Sequence, residues 1–426
     1  MKIYQMPTLE ETTYEYTLEN GLTVYLHPKP DYQRTFAIFN TTFGSVDIDF
    51  VPLGEKKWVH APLGVAHFLE HKLFEKEFGD VFELFSEQGA SANAFTSYEQ
   101  TAYLFSTVDH VDANLNLLLD FVQTPYFTEQ TVEKEKGIIA QEILMYDDMP
   151  EWRIQRLLLE NLYPKHPVRH DIAGTVESIQ AITPDILYEN YRTFYHPENM
   201  QLFVIGPIDV EKTLQLIKAN QSAKEFAPLS PIQRRIDMAS VDEICPFRHE
   251  KAALSRPKVM FGIRGPIMHY VGEEKVKRDL AIRIGLSLLF SMTSSTYLTL
   301  YDEGLIDDSF NFTYETARTF NHIMLECDTK YPEEFLKRVK NILLTRNDNS
   351  DLSEQHLELV KRKKIGDILH QLNSLEYIAQ NFLTQKEEAT TIFDHVQIIQ
   401  ALTLPDIKKY LDEVIQEEAM SSVILG

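Results

Sequence analysis

The hydrophobic pattern changes period several times along the chain, and each change marks an element. LTVYLHP at 22–28 and RTFAIFNTTFGS at 34–45 are rich in β-branched and aromatic residues and read as strands. From about Gly64 to Glu87 apolar residues recur three and four apart, which predicts helix. ANAFTSYEQTAYLFSTV at 92–108 reads as a strand hairpin, and VDANLNLLLDFVQTP as an amphipathic helix ended by Pro125. A long helix is predicted from Thr128 to Asp148, opened by a Thr-Glu cap signal and stopped by Pro150. MQLFVIGP at 200–207 reads as a buried strand. Strands at both ends of this segment, with helices between them, predict an α+β architecture.

The stretch 219–246 has three prolines and broken periodicity, the pattern of a linker. Beyond it the pattern restarts, with PKVMFGIRGP at 257–266 resembling RTFAIFNTTFG in placement. The last 26 residues, ALTLPDIKKYLDEVIQEEAMSSVILG, can be laid on AITPDILYENYRTFYHPENMQLFVIG at 181–206. Ala181/Ala401, Thr183/Thr403, Met200/Met420 and Gly206/Gly426 then fall in register. A helix-then-strand ending repeated at one offset predicts two copies of one domain. The expected boundaries are an N-terminal domain at 1–218, the linker at 219–246 and a homologous C-terminal domain at 247–426.

Length and composition agree. At 426 residues the chain is too long for one ordinary domain, and 44% apolar with 25% charged residues is globular composition. Forty-one Lys and Arg against 64 Asp and Glu leave a net charge of −23, which argues against nucleic-acid binding. Cys245 and Cys327 match no disulfide framework, zinc motif or redox motif. The start lacks an apolar stretch behind basic residues, and no run approaches ~18 apolar residues. The expectation is a cytoplasmic protein with no membrane or nucleic-acid partner.

Candidate chemistry sits in AHFLEHKLF. His67 and His71 are four apart and share a helix face, with Glu70 bordering it. Two imidazoles and a carboxylate in one small volume suit a catalytic zinc: neutral nitrogen ligands and an acid to take a proton from water. The order H-x-x-E-H inverts the commoner H-E-x-x-H, and chance supplies it in roughly 4% of chains of this composition. A third ligand is therefore required. The long helix offers Glu135 and Glu142, two turns apart on one face. Glu142 can complete a His₂Glu set, and Glu135 can orient a ligand histidine. There is no G-x-S-x-G elbow, phosphate-binding glycine loop or nucleophilic cysteine motif. His166, His170 and His196, beside prolines or Asp, read as structural.

AHFLEH, GASANAFTSYEQTAYLFST and EKEKGIIAQE, in that order, resemble the pitrilysin and insulin-degrading-enzyme family of inverzincin peptidases. HPVRHDIAGTVESIQAIT and YRTFYHPENMQLFVIG are similar to later blocks of the same family. The nearest likeness is to half-size bacterial members, relatives of the mitochondrial processing peptidase subunits. The resemblance implies two homologous tandem α+β domains, each a mixed or antiparallel sheet packed with helices. It implies a zinc endopeptidase with one Zn²⁺ per chain, held by His67, His71 and Glu142. Glu70 would be the catalytic base and Glu135 the supporting acid. Asn93 and Ala94 would lie on the strand that pairs with substrate backbone, reading main chain rather than side chain. Peptides or small unstructured polypeptides would be the substrates, taken into an enclosed chamber.

One block departs from the family. Active members carry an Arg and a Tyr in the second homologous region, where they help to hold the substrate carbonyl. In LTLYDEGLIDDSFNF at 298–312, Tyr301 stands at the Arg position and Asp308 at the Tyr position. Neither replaces a donor aimed at developing negative charge. Arg318 is near in sequence but does not recover the spacing. The implied consequence is a homologous partner that supplies the pair, in a hetero-dimer, or else a homodimer. The alternative expectation is a non-catalytic zinc-binding scaffold subunit.

Overall fold

Two sheets collect the predicted strands. The structure is a computed structural model that describes residues 1–6, 9–228, 231–267, 269–386 and 388–426, so residues 229 and 230 of the expected linker lie outside it. The chain forms two units: Met1–Leu144, Asp171–Ile236 and Leu372–Lys386 make the first, and Met145–His170, Asp237–Gln371 and Glu387–Gly426 the second.

Among the described residues, unit 1 holds a seven-stranded sheet. Its order is Lys2–Met6, Glu11–Thr17, Thr23–Pro28, Met200–Gly206, Thr35–Thr41, Thr101–Thr107 and Ser91–Thr96. Neighbours are antiparallel except Met200–Gly206, which runs parallel to Thr23–Pro28. The sheet of unit 2 repeats the last five positions of that order: Phe247–Glu250, Met420–Leu425, Lys258–Arg264, Asn321–Asp328 and Asn311–Thr316. Its one parallel pair is again the first, Phe247–Glu250 with Met420–Leu425. The helices Pro184–Phe194 and Leu404–Val414 precede equivalent strands at an offset of 220 residues. Both are capped alike, Thr183 accepting from the Ile186 amide and Thr403 from the Asp406 amide. The two tandem copies are therefore real structural repeats.

Each copy covers its partner copy's kind of sheet. Helix Leu375–Gln385, from the C-terminal half of the sequence, packs on Met200–Gly206 and Thr35–Thr41 in unit 1. Its repeat equivalent, Pro150–Leu162, packs on Met420–Leu425 and Lys258–Arg264 in unit 2. The units thus differ from the consecutive blocks 1–218, 219–246 and 247–426. The linker is also tied down over its described second half: Arg234 pairs with Asp47 at 2.8 Å, and the Arg235 amide donates to the Asp49 carbonyl at 2.9 Å.

Two local differences from the sequence pattern have clear causes. The helical region expected over about 64–87 is built of two helices, Val65–Phe74 and Val81–Glu87. Between them Glu75–Lys76 pairs with Gly79–Asp80; Gly79 takes φ 127, and Asp80 caps the second helix through the Phe82 amide. The strand Glu11–Thr17 shows little apolar alternation, because only Tyr14 and Tyr16 pack on the core of unit 1 while one face buries the polar Glu11, Thr13 and Glu15. His27, also buried, satisfies two of them, with Nδ1 at 2.7 Å from Thr13 Oγ1 and Nε2 at 2.7 Å from Glu11 Oε2. Among the described residues, no helix is long and apolar enough to cross a membrane.

Phe382 is the anchor of the helix that unit 1 receives. It is fully buried, with its ring 5.2 Å from Tyr25, 5.2 Å from Phe203 and 5.5 Å from Tyr4. Phe382→Ala is expected to cost about 3–5 kcal/mol of stability, read by denaturant unfolding.

Candidate metal centre

The helix Val65–Phe74 owes its position to an unusual entry. Gly64 precedes it at φ 86, and a Cβ there would sit 2.2 Å from the Ala173 carbonyl oxygen. Two backbone segments therefore touch, and only glycine fits. Val65, Ala66, Phe68, Leu69 and Leu73 are buried and hold the helix in the core of unit 1. The face left over carries His67, Glu70 and His71. Facing it, the helix Glu129–Asp147 buries Val132, Ile139 and Ile143, which turns Glu135 and Glu142 the same way.

The donor atoms converge. One ligand atom from each of His67, His71 and Glu142 lies within 4.8 Å of the others. The two Nε2 atoms are each 3.7 Å from a different oxygen of Glu142. The imidazole centroids are 4.6 Å apart, with the rings inclined at 57°. Glu135 Oε1 is 3.0 Å from His71 Nδ1, which leaves Nε2 of that ring directed at the cluster. Glu70 stands beside the donor set and accepts a hydrogen bond of 2.6 Å from Thr96.

The electrostatics call for a cation. Burial, reinforced by His71, pushes the His67 pKa down to about 3, so this imidazole is neutral. Burial alone would lower His71 too, but the hydrogen bond and charge of Glu135, with Glu70 and Glu142, hold it above its ordinary value. Glu142 is raised chiefly by burial, with Asp171 and Glu135 adding to it. Burial likewise raises Glu70 despite the Thr96 hydrogen bond. Three carboxylates crowd two imidazoles, and a divalent ion would relieve the repulsion among them. The donor set, two nitrogens and one oxygen on rigid helices, fits Zn²⁺ and leaves room for a fourth ligand.

A cavity of about 790 Å³ adjoins the cluster, lined by Glu70, His71, Phe74, Phe82, Asn93, Glu135 and neighbours. Asn93 and Ala94 lie on Ser91–Thr96, the terminal strand of the sheet, with Ala94 opposite Tyr103. The Asn93 side chain accepts from the Ala94 amide at 2.8 Å. All seven residues singled out in the sequence thus belong to unit 1 and border one site. Thr96, Gly64 and Asp171 also shape it and had no distinguishing signal in the sequence. Tyr301, Asp308 and Arg318 belong to unit 2. Tyr301 is an exposed residue of the helix Ser295–Asp302, and Arg318 lies in the turn between Asn311–Thr316 and Asn321–Asp328.

Comparison with known proteins bears on this geometry. A family model described as Insulinase (Peptidase family M16) matches residues 57–176, the segment that carries every one of the clustered donors. A second, described as the peptidase M16 inactive domain, matches 181–364. YmfH of Bacillus subtilis (strain 168), described as an uncharacterised zinc protease, is 44% identical over 99% of this chain and 98% of its own. The chain belongs to the M16 peptidase family. An M16-like peptidase structure from Alicyclobacillus acidocaldarius matches it with a TM-score of 0.92 at 34% identity, covering 99% of each chain. The fold also fits the periplasmic protease PqqL of Escherichia coli, at a TM-score of 0.71 and 18% identity, where 97% of this chain covers 47% of that one. The architecture is that of tandem M16 domains, the first bearing the inverted motif.

The glycine contact at the head of the motif helix can be tested against a control. Gly64 and Gly89 both have positive φ, at 86 and 71, but a Cβ at Gly89 would meet nothing within 4 Å. Each change to Ala carries the left-handed penalty of about 1–2 kcal/mol. Gly64→Ala is expected to lose clearly more than Gly89→Ala in denaturant unfolding, because its Cβ also strikes backbone.

Proposed function

We propose that the chain is a zinc-dependent endopeptidase subunit acting on peptides or small unstructured polypeptides. The observation that carries this reading is the convergence of His67, His71 and Glu142 donor atoms within 4.8 Å, with Glu70 beside them. In it His67, His71 and Glu142 hold one Zn²⁺ per chain. When bound, the ion acts as a Lewis acid that polarises the scissile carbonyl and lowers the pKa of water.

The chain's own groups do the rest. Glu70 accepts a proton from the attacking water and delivers it to the leaving amine, a role suited to a carboxyl whose pKa is raised by burial. Glu135 fixes the His71 ring through Nδ1, which presents the Nε2 lone pair to the ion. Asn93 and Ala94 border the cavity on the terminal strand, and an extended peptide laid along that edge would continue the sheet. Backbone pairing of this kind supports loose sequence preference.

The missing Arg/Tyr pair leaves the substrate oxygen short of a donor, since Tyr301 and Asp308 stand at those positions. Full activity is therefore proposed to need a homologous subunit that carries the pair, in a hetero-dimer that encloses a chamber, in the cytoplasm; a homodimer would enclose a chamber without supplying the pair. That PqqL carries the fold in about half its length supports a two-copy arrangement.

Metal analysis and peptide cleavage test the reading together. The purified chain is expected to bind one zinc. Glu70→Gln should keep the zinc and lose cleavage by at least about 100-fold, while His67→Ala should lose the metal. A homologous subunit bearing the Arg/Tyr pair should raise the cleavage rate. Zinc bound in every pairing with no cleavage would instead favour the scaffold subunit, and rapid cleavage by the isolated monomer would refute the need for a partner.

A further inference from the structure

Glu70 neighbours the ligands of the proposed site in sequence, yet it stands outside the donor set of His67, His71 and Glu142. A flexible carboxylate beside a divalent cation would ordinarily join it. Something must hold it back. Thr96, the last residue of the terminal strand Ser91–Thr96, donates from Oγ1 to Glu70 Oε2 at 2.6 Å. Thr96 Oγ1 is also 3.4 Å from Thr101 Oγ1, a far weaker contact. Thr101 is fully buried and commits its own proton to the Phe43 carbonyl at 2.9 Å. The single Thr96 proton therefore goes to the carboxylate. One oxygen of Glu70 is tied to the sheet, and the residue still lines the cavity.

We infer that Thr96 is the positioning residue for Glu70: its hydroxyl ties Oε2 to the sheet, which keeps the carboxylate off the metal and leaves Oε1 for the proton of water. The inference rests on the proposed role of Glu70. A fourth protein ligand would fill the coordination position that reactants need, so the hydroxyl acts by restraint. Thr96 stands outside the donor set and acts through Glu70.

The test uses Thr96→Val, which keeps the shape and removes the donor, and Thr96→Ser, which keeps the donor. Both are made in the full chain, assayed with the Arg/Tyr-bearing subunit wherever cleavage needs it. Thr96→Val is expected to lower kcat roughly 10–100-fold with KM little changed, and Thr96→Ser to restore kcat to near the parent value. In the Glu70→Gln background, Thr96→Val should have no further effect on kcat. A second readout does not depend on turnover. With Co²⁺ in place of zinc, the visible absorption of Thr96→Val should weaken as Glu70 joins the ion and the coordination number rises. Thr96→Ser should keep the parent spectrum, and Glu70→Gln/Thr96→Val the spectrum of Glu70→Gln.

Parent kcat and parent cobalt spectrum in Thr96→Val would overturn the inference. So would equal loss in Thr96→Ser, or a further loss in the Glu70→Gln background, since either marks damage to the strand rather than to the carboxylate. A fully active Glu70→Gln variant would sink the proton role of Glu70, and the cobalt spectra would still decide whether the hydroxyl restrains the side chain.

Discussion

The structure around the motif depends on one unfavourable juxtaposition: three carboxylates and two imidazoles held in a half-buried volume. Helices alone could not keep these groups together against mutual repulsion and lost hydration. The hydrophobic faces of the two helices do so, by burying Val65, Phe68, Leu69 and Leu73 on one and Val132, Ile139 and Ile143 on the other. Packing thus supplies the preorganisation, and the charges are left unsatisfied in a way that a cation can correct. Burial raises Glu142 and the neighbouring carboxylates add to it, while the same kind of neighbours hold His71 above its ordinary value against burial; both are signs of a deficit of positive charge.

Much of this was legible in the sequence because its periodicities are local. His67, Glu70 and His71 within one helical turn, and Glu135 and Glu142 two turns apart, declare a shared face before any fold is known. The repeated helix-and-strand ending similarly survives in four matched positions, and its threonine caps are visible as Thr183 and Thr403. What could not be read was long-range. Nothing near Gly64 announces that Ala173 will press on it, and an isolated threonine at 96 looks like any strand residue. The polar strand Glu11–Thr17 was invisible for a different reason: its buried polar side chains are satisfied by residues of other strands, Glu11 and Thr13 by His27 and Glu15 by Tyr4.

The two copies show how one scaffold tolerates divergent contents. They share strand order, the single parallel pair and the capped helix before it, yet the second has no counterpart of the inverted motif. Main-chain pairing and apolar packing preserve the frame, while the side chains of one helix face are free to change. Tyr301 and Asp308 are exposed positions of unit 2 outside its sheet strands, where side chains can change in the same way.

The exchange of Leu375–Gln385 for Pro150–Leu162 means that each sheet is covered by a helix from the other half of the sequence. Severing the chain at its middle would strip from each fragment the lid over its sheet, leaving an apolar surface that favours reassociation of the two pieces.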